Sequence, residues 1–413
     1  MAMTPSRSAR SPAEYASSFD ARVEALLPEI AQIVPGLADR VGAADLKPDD
    51  LDSVAALDRL PVLTKDALCD EQARLPPFGG NLIPGARVRR IFQSPGPLYQ
   101  PEPDEPDPWR WEPALRAAGF TADDLVLNTF SYHLSPAGAM FEEASKVIGC
   151  TAVLPGGVGN REAQARACVD LGVTAYIGLP SYLKALLEAG EQAGMDPRAW
   201  PLEKAFVTGE ALPGSLRARL RERVPTVLQG YGTAEAGNLG YECAAMDGLH
   251  VPADALVQVC DLTTGEAIYD DREGQVVATV FSEAYPLVRL GTGDLSAWAV
   301  GECACGETTP RLRGWLGRVG DAVKVRGLFL HPRQVTRLMG GISEVADYRF
   351  VIDRVSHRDV LRCEVVPAPG ADPAQLATTV RARTRSSLRL GVEVMLVDAV
   401  GAGGPIADVR VWD

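Results

Sequence analysis

The feature that most constrains the fold is a regular alternation of short apolar runs and helical patterns that begins near residue 125. The apolar runs are 125–127, 151–154, 175–177 and 205–207, and the helical patterns between them cover 138–148, 160–171 and 181–189. Strands that alternate with helices in this way form a parallel sheet covered by helices on both faces. The sequence therefore predicts an α/β fold whose ligands bind beyond the carboxyl ends of the strands.

A turn at residues 317–321 marks the predicted domain boundary. Residues 318–413 contain three strand patterns and one helical pattern, which suits a small α+β domain. We expect a large N-terminal domain over 1–317, with parallel sheets covered by helices, and a small C-terminal domain over 318–413. Ser11–Val34 is predicted to be one helix, and the acidic, proline-rich run 101–108 an exposed irregular loop.

Composition and charge exclude several classes of protein. The 413 residues carry a net charge of -13, which disfavours nonspecific binding to nucleic acid or to anionic membranes. No apolar run approaches the roughly 20 residues of a membrane span, and no apolar segment of a secretory signal follows Arg7 and Arg10. Eight cysteines in a chain of this length do not form a disulfide scaffold. We expect a cytoplasmic protein.

The stretch 229–237, Gln-Gly-Tyr-Gly-Thr-Ala-Glu-Ala-Gly, is the strongest candidate binding turn. It follows a β-branched run, and Gly232 allows the backbone to approach a ligand closely. Tyr231 offers a ring that can stack on a planar base, Thr233 a hydroxyl for a phosphate, and Glu235 a carboxylate for a metal-bound phosphate. Taken alone, the same stretch also fits a plain strand and turn with a surface glutamate.

Other polar residues are predicted at the ends of neighbouring strands. They include Ser131-Tyr132-His133, Pro180-Ser181-Tyr182 and Gly209-Glu210. Because parallel strands end at the same edge of a sheet, these loops are expected to share one cleft with Tyr231 and Glu235. His133, with Tyr132, is a candidate for acid–base chemistry, and the alternative is that His133 only lines the pocket wall.

Six segments in a fixed order carry a resemblance to a known family. They are Leu63-Thr64-Lys65, Pro180-Ser181-Tyr182, Gly209-Glu210, 231–235 (YGTAE), 292–295 (TGDL) and 317–327 (GRVGDAVKVRG). Over roughly residues 14–413 the chain resembles the adenylate-forming acyl- and aryl-CoA ligases, and in particular phenylacetate-CoA ligases. The resemblance implies a C-terminal lid domain, and it implies an enzyme that joins a carboxylate to ATP as an acyl-adenylate and then passes the acyl group to a thiol.

The resemblance also implies roles for individual residues. Tyr231 would lie against adenine, Thr233 would meet the α-phosphate, and Glu235 would help to hold magnesium. Asp294 would bind the ribose hydroxyls, with Arg318 beside it. The matching segments assign further nucleotide contacts to Gly209, Glu210, Gly232 and Lys324. A carboxylate accepts from two hydroxyls and an arginine is a planar donor, so the assignments for Asp294 and Arg318 suit their chemistry.

Four further residues form a candidate metal site. Cys243 and His250 follow the glycine-rich turn, and Cys303 and Cys305 follow Asp294. Three thiolates and an imidazole complete the tetrahedral shell of a structural zinc ion, although the spacing is not that of a standard zinc finger. The alternative is two unrelated pairs of surface residues. Some proteins similar to phenylacetate-CoA ligases carry a metal at this place, and here it would brace both nucleotide loops.

Two segments depart from the family pattern. The phosphate loop of the family is rich in Ser, Thr and Gly, but the corresponding segment here, 93–99, reads QSPGPLY, and its two prolines lack an N–H. The acidic residues that follow would repel a triphosphate if they lay close to it. The catalytic lysine that the family places before its last Arg-Val corresponds to Ala407. Lys65 or Lys324 is the alternative source of that charge.

These departures leave three functions open. The first is an acid–thiol ligase that acts on an acyl or aryl carboxylate, with ATP or AMP, magnesium, and CoA or a carrier protein as partners. The second is a repurposed relative that performs transfer, condensation or cyclisation on an acyl group activated elsewhere. The third is a binding protein without catalysis. Biosynthesis of a specialised metabolite is the expected context, and the resemblance leaves a homodimer open.

Overall fold

The computed structural model describes residues 10–94, 97–196, 200–319, 323–326, 328–330, 332–355 and 358–410. The chain divides into two compact units, Met1–Gly317 and Arg318–Asp413. Among the described residues, no helix has both the length and the apolar character that a membrane crossing requires.

The first unit begins with helices that pack on a β-sheet. They are Pro12–Ser17, Asp20–Ile33, Pro35–Ala43, Val54–Leu57 and Lys65–Arg74, with a short 3₁₀ turn at Pro48–Asp50. The single helix predicted over Ser11–Val34 is therefore wrong. The chain turns at Ser18–Phe19 and so divides this segment into two helices. Pro35 then starts a third helix, since proline is tolerated at a first helical position, where its missing N–H would be unpaired anyway.

The predicted alternation of strands and helices forms the central sheet. Five parallel strands lie in the order Ala152–Pro155, Leu125–Asn128, Ala175–Gly178, Lys204–Val207 and Thr226–Thr233. The connecting helices are Ala137–Ile148, Arg161–Leu171, Pro180–Gln192 and Gly214–Arg221. Strands 125–128 and 175–178 are neighbours although they are not consecutive, so the strand order reverses there. Beyond 226–233 the sheet continues antiparallel through Gly237–Tyr241, Leu249–His250 and Arg311–Leu312.

A second sheet and a β-hairpin complete the first unit. The sheet contains Ala255–Cys260, Ala267–Ile268, Gly274–Val280 and Leu287–Ser296, all antiparallel. The hairpin pairs Val88–Ser94 with Leu98–Pro103 and precedes the helix Glu112–Ala117. The exposed loop predicted at 101–108 is therefore wrong at its start: Pro101, Glu102 and Pro103 are buried strand residues. These residues pair with strand Val88–Ser94, a contact that the proline-rich composition concealed.

The second unit is a small α+β fold, in agreement with the predicted fold class. Its sheet has the order Glu393–Leu396, Arg358–Pro367, Val345–Val355 and Ile406–Asp408. The helices are Pro332–Gly340 and Pro373–Leu388, and a separate hairpin pairs Val323–Val325 with Leu328–Leu330. Phe350, Leu361 and Val380 are fully buried in its core, which is separate from the cores of the first unit.

Candidate functional site

The glycine-rich stretch 229–237 covers the end of strand Thr226–Thr233, a hairpin turn, and the start of strand Gly237–Tyr241. A Cβ atom on Gly232 would lie 2.2 Å from the Gly237 carbonyl oxygen and 2.7 Å from the Trp111 ring. Contacts below 3.0 Å with backbone cannot be relieved by a side-chain rotation, so the turn requires glycine at this position. The Thr233 Oγ1 accepts a hydrogen bond of 3.1 Å from the Ala236 N–H and so closes the turn that carries Glu235.

Tyr231 and Asp294 meet across the two sheets. The Tyr231 hydroxyl lies 3.1 Å from Asp294 Oδ2 and 3.1 Å from Thr292 Oγ1. The other carboxylate oxygen, Asp294 Oδ1, accepts a hydrogen bond of 3.1 Å from the indole N–H of Trp315. Asp294 is buried, with 5 % of its surface exposed. The structure thus brings together the residues assigned to adenine and to ribose, and it adds Trp315, which the sequence analysis missed because no motif signals it.

Glu235 lies at the centre of a second polar cluster. Its Oε2 accepts a hydrogen bond of 2.9 Å from Lys65 Nζ, and Ser94 Oγ lies 3.4 Å from its Oε1. Lys65 is the first residue of a helix that Thr64 caps. Burial acts to raise the pKa of the Glu235 carboxyl, but the charge and hydrogen bond of Lys65, together with hydrogen bonds from its own backbone and from Thr233, lower the pKa from its ordinary value of 4.5. The carboxylate is therefore ionised at neutral pH, as a magnesium ligand must be.

The hairpin that carries Ser94 has a very short turn. Ser94 pairs with Leu98, so three residues join the strands, and two of them are Pro95 and Pro97. Pro95 and Gly96 lie outside the described residues. Since proline has no N–H, Gly96 is the single residue of this connection with a backbone N–H to offer a phosphate.

The acidic residues after the hairpin turn have partners of their own. Glu102 is fully buried and accepts hydrogen bonds from the Arg90 guanidinium, one of them at 2.8 Å. Asp104 lies 3.4 Å from Arg87 and 3.4 Å from Arg89. The repulsion of a triphosphate that the sequence suggested is therefore reduced, because the positive charges of these arginines offset Glu102 and Asp104.

The remaining predicted residues of the first unit lie at strand ends, as expected. His133 is exposed in the loop after Leu125–Asn128, where its backbone N–H donates to Ser131 Oγ at 3.1 Å. Gly209 has a φ of 84°, and Glu210 beside it is half-buried after strand Lys204–Val207. The roles of these three residues stay predictions.

The second unit contains the predicted residues Arg318 and Lys324. Arg318 is its first residue and is half-buried in the short strand Gly317–Arg318. Lys324 is in strand Val323–Val325, but its side chain lies outside the described part of the structure, as do residues 320 and 321. Ala407 pairs with Val351 in strand Ile406–Asp408, and Arg410 is held by Asp408 at 2.7 Å and Asp359 at 3.0 Å.

The four predicted metal ligands converge. The ligand atoms of Cys243, His250, Cys303 and Cys305 all lie within 4.8 Å of one another. The sulfur atoms of Cys243 and Cys303 are 3.5 Å apart, and Cys305 Sγ is 3.4 Å from His250 Nε2. Three sulfurs and one imidazole nitrogen at such separations match the donor set of a four-coordinate zinc ion.

The imidazole of His250 is oriented for this role. His250 is fully buried, and its Nδ1 lies 3.0 Å from the carbonyl oxygen of Thr309. A carbonyl can only accept, so the proton is on Nδ1 and the lone pair of Nε2 faces the thiols. Burial lowers the pKa of the imidazole, which keeps it neutral as a metal ligand must be.

Comparisons with known proteins show what this chain is similar to. A family model described as "AMP-binding enzyme" matches residues 111–279. The phenylacetate-coenzyme A ligase of Aromatoleum evansii is 29% identical over 353 residues, which cover 82% of this chain and 78% of that protein. The phenylacetate-coenzyme A ligase of Thermus thermophilus is 27% identical over 358 residues, which cover 83% and 79%.

Solved structures show the same fold. A crystal structure of 2-hydroxyisobutyryl-CoA ligase in complex with 2-HIB-AMP and CoA has a TM-score of 0.89 at 23% identity, covering 98% of this chain and 92% of that one. Another, an amide bond synthetase from Marinactinospora thermotolerans, has a TM-score of 0.59 at 19% identity, covering 76% and 65%. The AMP-binding match and these relatives support an adenylate-forming, phenylacetate-CoA ligase-like family for this chain, and the solved structures show its fold.

Proposed function

We propose that this protein activates a carboxylic acid as its acyl-adenylate, with ATP as the second substrate, and transfers the acyl group to a thiol. The observation that carries the proposal is the cluster around Glu235. Lys65 donates to this carboxylate at 2.9 Å, while Ser94 lies 3.4 Å from it, so a cation and a hydroxyl accompany the candidate magnesium ligand. Tyr231 and Asp294 provide the nucleoside side of the same site.

Each residue has a role in this proposal. Tyr231 lies against adenine, Asp294 and Arg318 bind the ribose, Thr233 meets the α-phosphate, and Glu235 holds magnesium. The further nucleotide contacts are Gly209, Glu210, Gly232 and Lys324. His133 is the candidate acid–base group at the strand end where the acid would bind.

The proposed chemistry has two steps. A carboxylate oxygen of the acid attacks the α-phosphorus of ATP, the bond to pyrophosphate breaks, and an acyl-adenylate forms. A thiolate then attacks the acyl carbonyl carbon, and AMP leaves. The first step brings two anions together, so it needs a nearby positive charge. Ala407 cannot supply that charge, and Lys65 is the lysine at the phosphate side of the first unit.

The activities named for the similar proteins guide the choice of substrates. They are ligases of phenylacetate and of 2-hydroxyisobutyrate with CoA. We therefore propose a small acyl or aryl acid as substrate, and CoA or the phosphopantetheine thiol of a carrier protein as acceptor.

One observation favours a second candidate function. Only three residues, two of them prolines, connect the hairpin strands that should cradle the β- and γ-phosphates. A protein that receives a preformed acyl-adenylate or thioester would not need that cradle. In this case the enzyme would perform transfer, condensation or cyclisation, and a binding protein without catalysis would use the same pocket.

An ATP–pyrophosphate exchange assay separates these functions. The full chain is incubated with magnesium, ATP and labelled pyrophosphate, and with each of a panel of acids that includes phenylacetate and 2-hydroxyisobutyrate. Exchange that depends on one acid is the expected result. No exchange with any acid, together with calorimetric binding of AMP but not of ATP, would contradict the ligase and support the second candidate.

We also propose that Cys243, His250, Cys303 and Cys305 bind a structural zinc ion. The support is the separation of their ligand atoms, all within 4.8 Å, and the orientation of His250 by Thr309. Four protein ligands leave no position for a substrate, so the ion would stabilise the fold without activating water. Elemental analysis of the purified protein should find about one zinc per chain, and a metal-free, fully folded protein would contradict the assignment.

A further inference from the structure

The carboxylate of Asp294 is held by two aromatic donors, one on each oxygen. The Tyr231 hydroxyl is 3.1 Å from Oδ2, and the Trp315 indole nitrogen is 3.1 Å from Oδ1. The Tyr231 contact joins two residues to which nucleotide roles were already assigned. Trp315 has no assigned role, and it comes from a separate segment of the chain.

The segment that carries Trp315 is attached to the strand of Asp294 on both sides of the indole. The Leu316 N–H donates to the Leu295 carbonyl oxygen at 2.9 Å. On the other side, the Ser296 hydroxyl donates to the Gly314 carbonyl oxygen at 2.6 Å. Hydrogen bonds thus fix the backbone on both sides of Trp315, and this backbone holds the indole beside Asp294.

Packing does not account for the indole at this position. Trp315 has 57% of its surface exposed, whereas Trp109, Trp111 and Trp298 are at most 5% exposed. An exposed indole contributes little to a hydrophobic core. Its hydrogen bond to a buried carboxylate is therefore the interaction that gives this tryptophan a defined place.

Two donors on one carboxylate determine its orientation. The terminal torsion of an aspartate is broad, so an isolated carboxylate can rotate. Each oxygen accepts more than one hydrogen bond, so both keep acceptor capacity after binding one protein donor. A carboxylate fixed in this way is preorganised for a vicinal diol, whose two hydroxyls must find both oxygens at once.

We propose that Trp315 is a positioning residue that orients Asp294 for the 2′- and 3′-hydroxyls of a ribonucleotide. The inference rests on the proposed nucleotide site. It goes beyond that site because it assigns selectivity for the ribose diol to the indole of Trp315, which lies outside the binding motifs.

The test compares two ligands and two tryptophan substitutions by calorimetry on the full chain. AMP carries the diol and 2′,3′-dideoxy-AMP lacks it. Trp315→Phe keeps an aromatic ring without the N–H, and we expect it to weaken AMP binding roughly 3- to 10-fold while binding of dideoxy-AMP is unchanged. Trp200→Phe is the matched control, because its half-buried indole N–H has no partner among the described residues, and it should change neither affinity.

A second variant separates positioning from packing. In an Asp294→Asn background the oriented carboxylate is gone, so Trp315→Phe should cause no further loss of AMP affinity. An equal loss for AMP and dideoxy-AMP, an undiminished loss in the Asn background, or no loss at all would overturn the role of Trp315. If the unmodified protein binds AMP and dideoxy-AMP equally, the proposed ribose site itself fails, and the inference fails with it.

Discussion

The two sides of the proposed nucleotide site are built differently. On the ribose side, Tyr231 and Asp294 extend from strands of two sheets and are already hydrogen-bonded to each other. On the phosphate side, Lys65 starts a helix, Ser94 ends a hairpin strand, and Glu235 lies in a turn. In the proposed site, the nucleoside side is thus held by residues of two sheets, whereas the phosphate side is held by the Lys65–Glu235 ion pair with Ser94 beside it. The following predictions, ordered from the largest expected effect, separate the two sides.

Lys65→Ala should affect the phosphate side alone. Loss of a charge that acts in the transition state commonly lowers the rate by about 10²–10³. We expect ATP–pyrophosphate exchange to fall by that factor while AMP affinity measured by calorimetry changes only a few-fold. Lys47→Ala, at an exposed lysine, is the control. Equal losses of exchange and of AMP affinity would show that the two sides are not separable.

Cys303→Ser should act on the ribose side through the metal cluster. Cys303 follows the strand of Asp294, and Cys243 follows strand Gly237–Tyr241, so loss of the proposed ion would free both segments. We expect zinc affinity to fall on the order of 10–100-fold or more, and Tm to fall as well. Cys150→Ser, which replaces a half-buried cysteine outside the cluster, should retain the metal. Retained zinc in Cys303→Ser would refute this ligand set.

Gly232→Ala should destabilise the β-hairpin that carries both Tyr231 and Glu235. The added methyl group would lie 2.2 Å from the Gly237 carbonyl oxygen, and neither backbone can yield without distortion. Overpacking of this kind costs about 1–3 kcal/mol, measurable by urea unfolding. Gly214→Ala is the control, because its added methyl group would meet nothing within 4 Å. If the two variants unfold at the same urea concentration, the turn is not as tight as described.

The smallest effect concerns the pH dependence of the Lys65–Glu235 pair. The pKa of the folded Glu235 carboxyl lies below its ordinary value of 4.5. The stability from this pair is therefore fully present above pH 4.5 and is lost as the pH falls through the folded pKa. The difference in Tm between the unmodified protein and Glu235→Gln should be constant from pH 7 to pH 5.5 and shrink below pH 4.5. Glu24→Gln, at an exposed helix position, should show no such trend.

The sequence predicted the elements that depend on local pattern. The parallel strands and their helices follow from hydrophobic periodicity, and the family and fold class that the motifs indicated are confirmed. The meeting of Cys243 and His250 with Cys303 and Cys305 was expected from the resemblance, because their spacing is not that of a standard zinc finger, and the structure brings their ligand atoms together. The parallel strands and their helices need no knowledge of distant contacts, whereas the two halves of the cysteine–histidine cluster lie about 60 residues apart.

Long-range contacts could not be predicted in the same way. Lys65 meets Glu235 across 170 residues, and Trp315 meets Asp294 through a side chain that no pattern singles out. The buried strand at Pro101–Pro103 was hidden because prolines normally mark exposed segments, although here the hairpin edge tolerates them. Such contacts depend on how separate elements pack, which a single sequence does not encode locally.

Isotope transfer from the acid tests the central claim most directly. The full chain is incubated with ATP, magnesium, a thiol acceptor and an acid of the panel labelled with ¹⁸O in its carboxylate, and AMP is analysed by mass spectrometry. The account predicts AMP that carries one ¹⁸O, because the carboxylate oxygen attacks the α-phosphorus and leaves with AMP. Thioester formation with unlabelled AMP, or with ADP as the product, would contradict it.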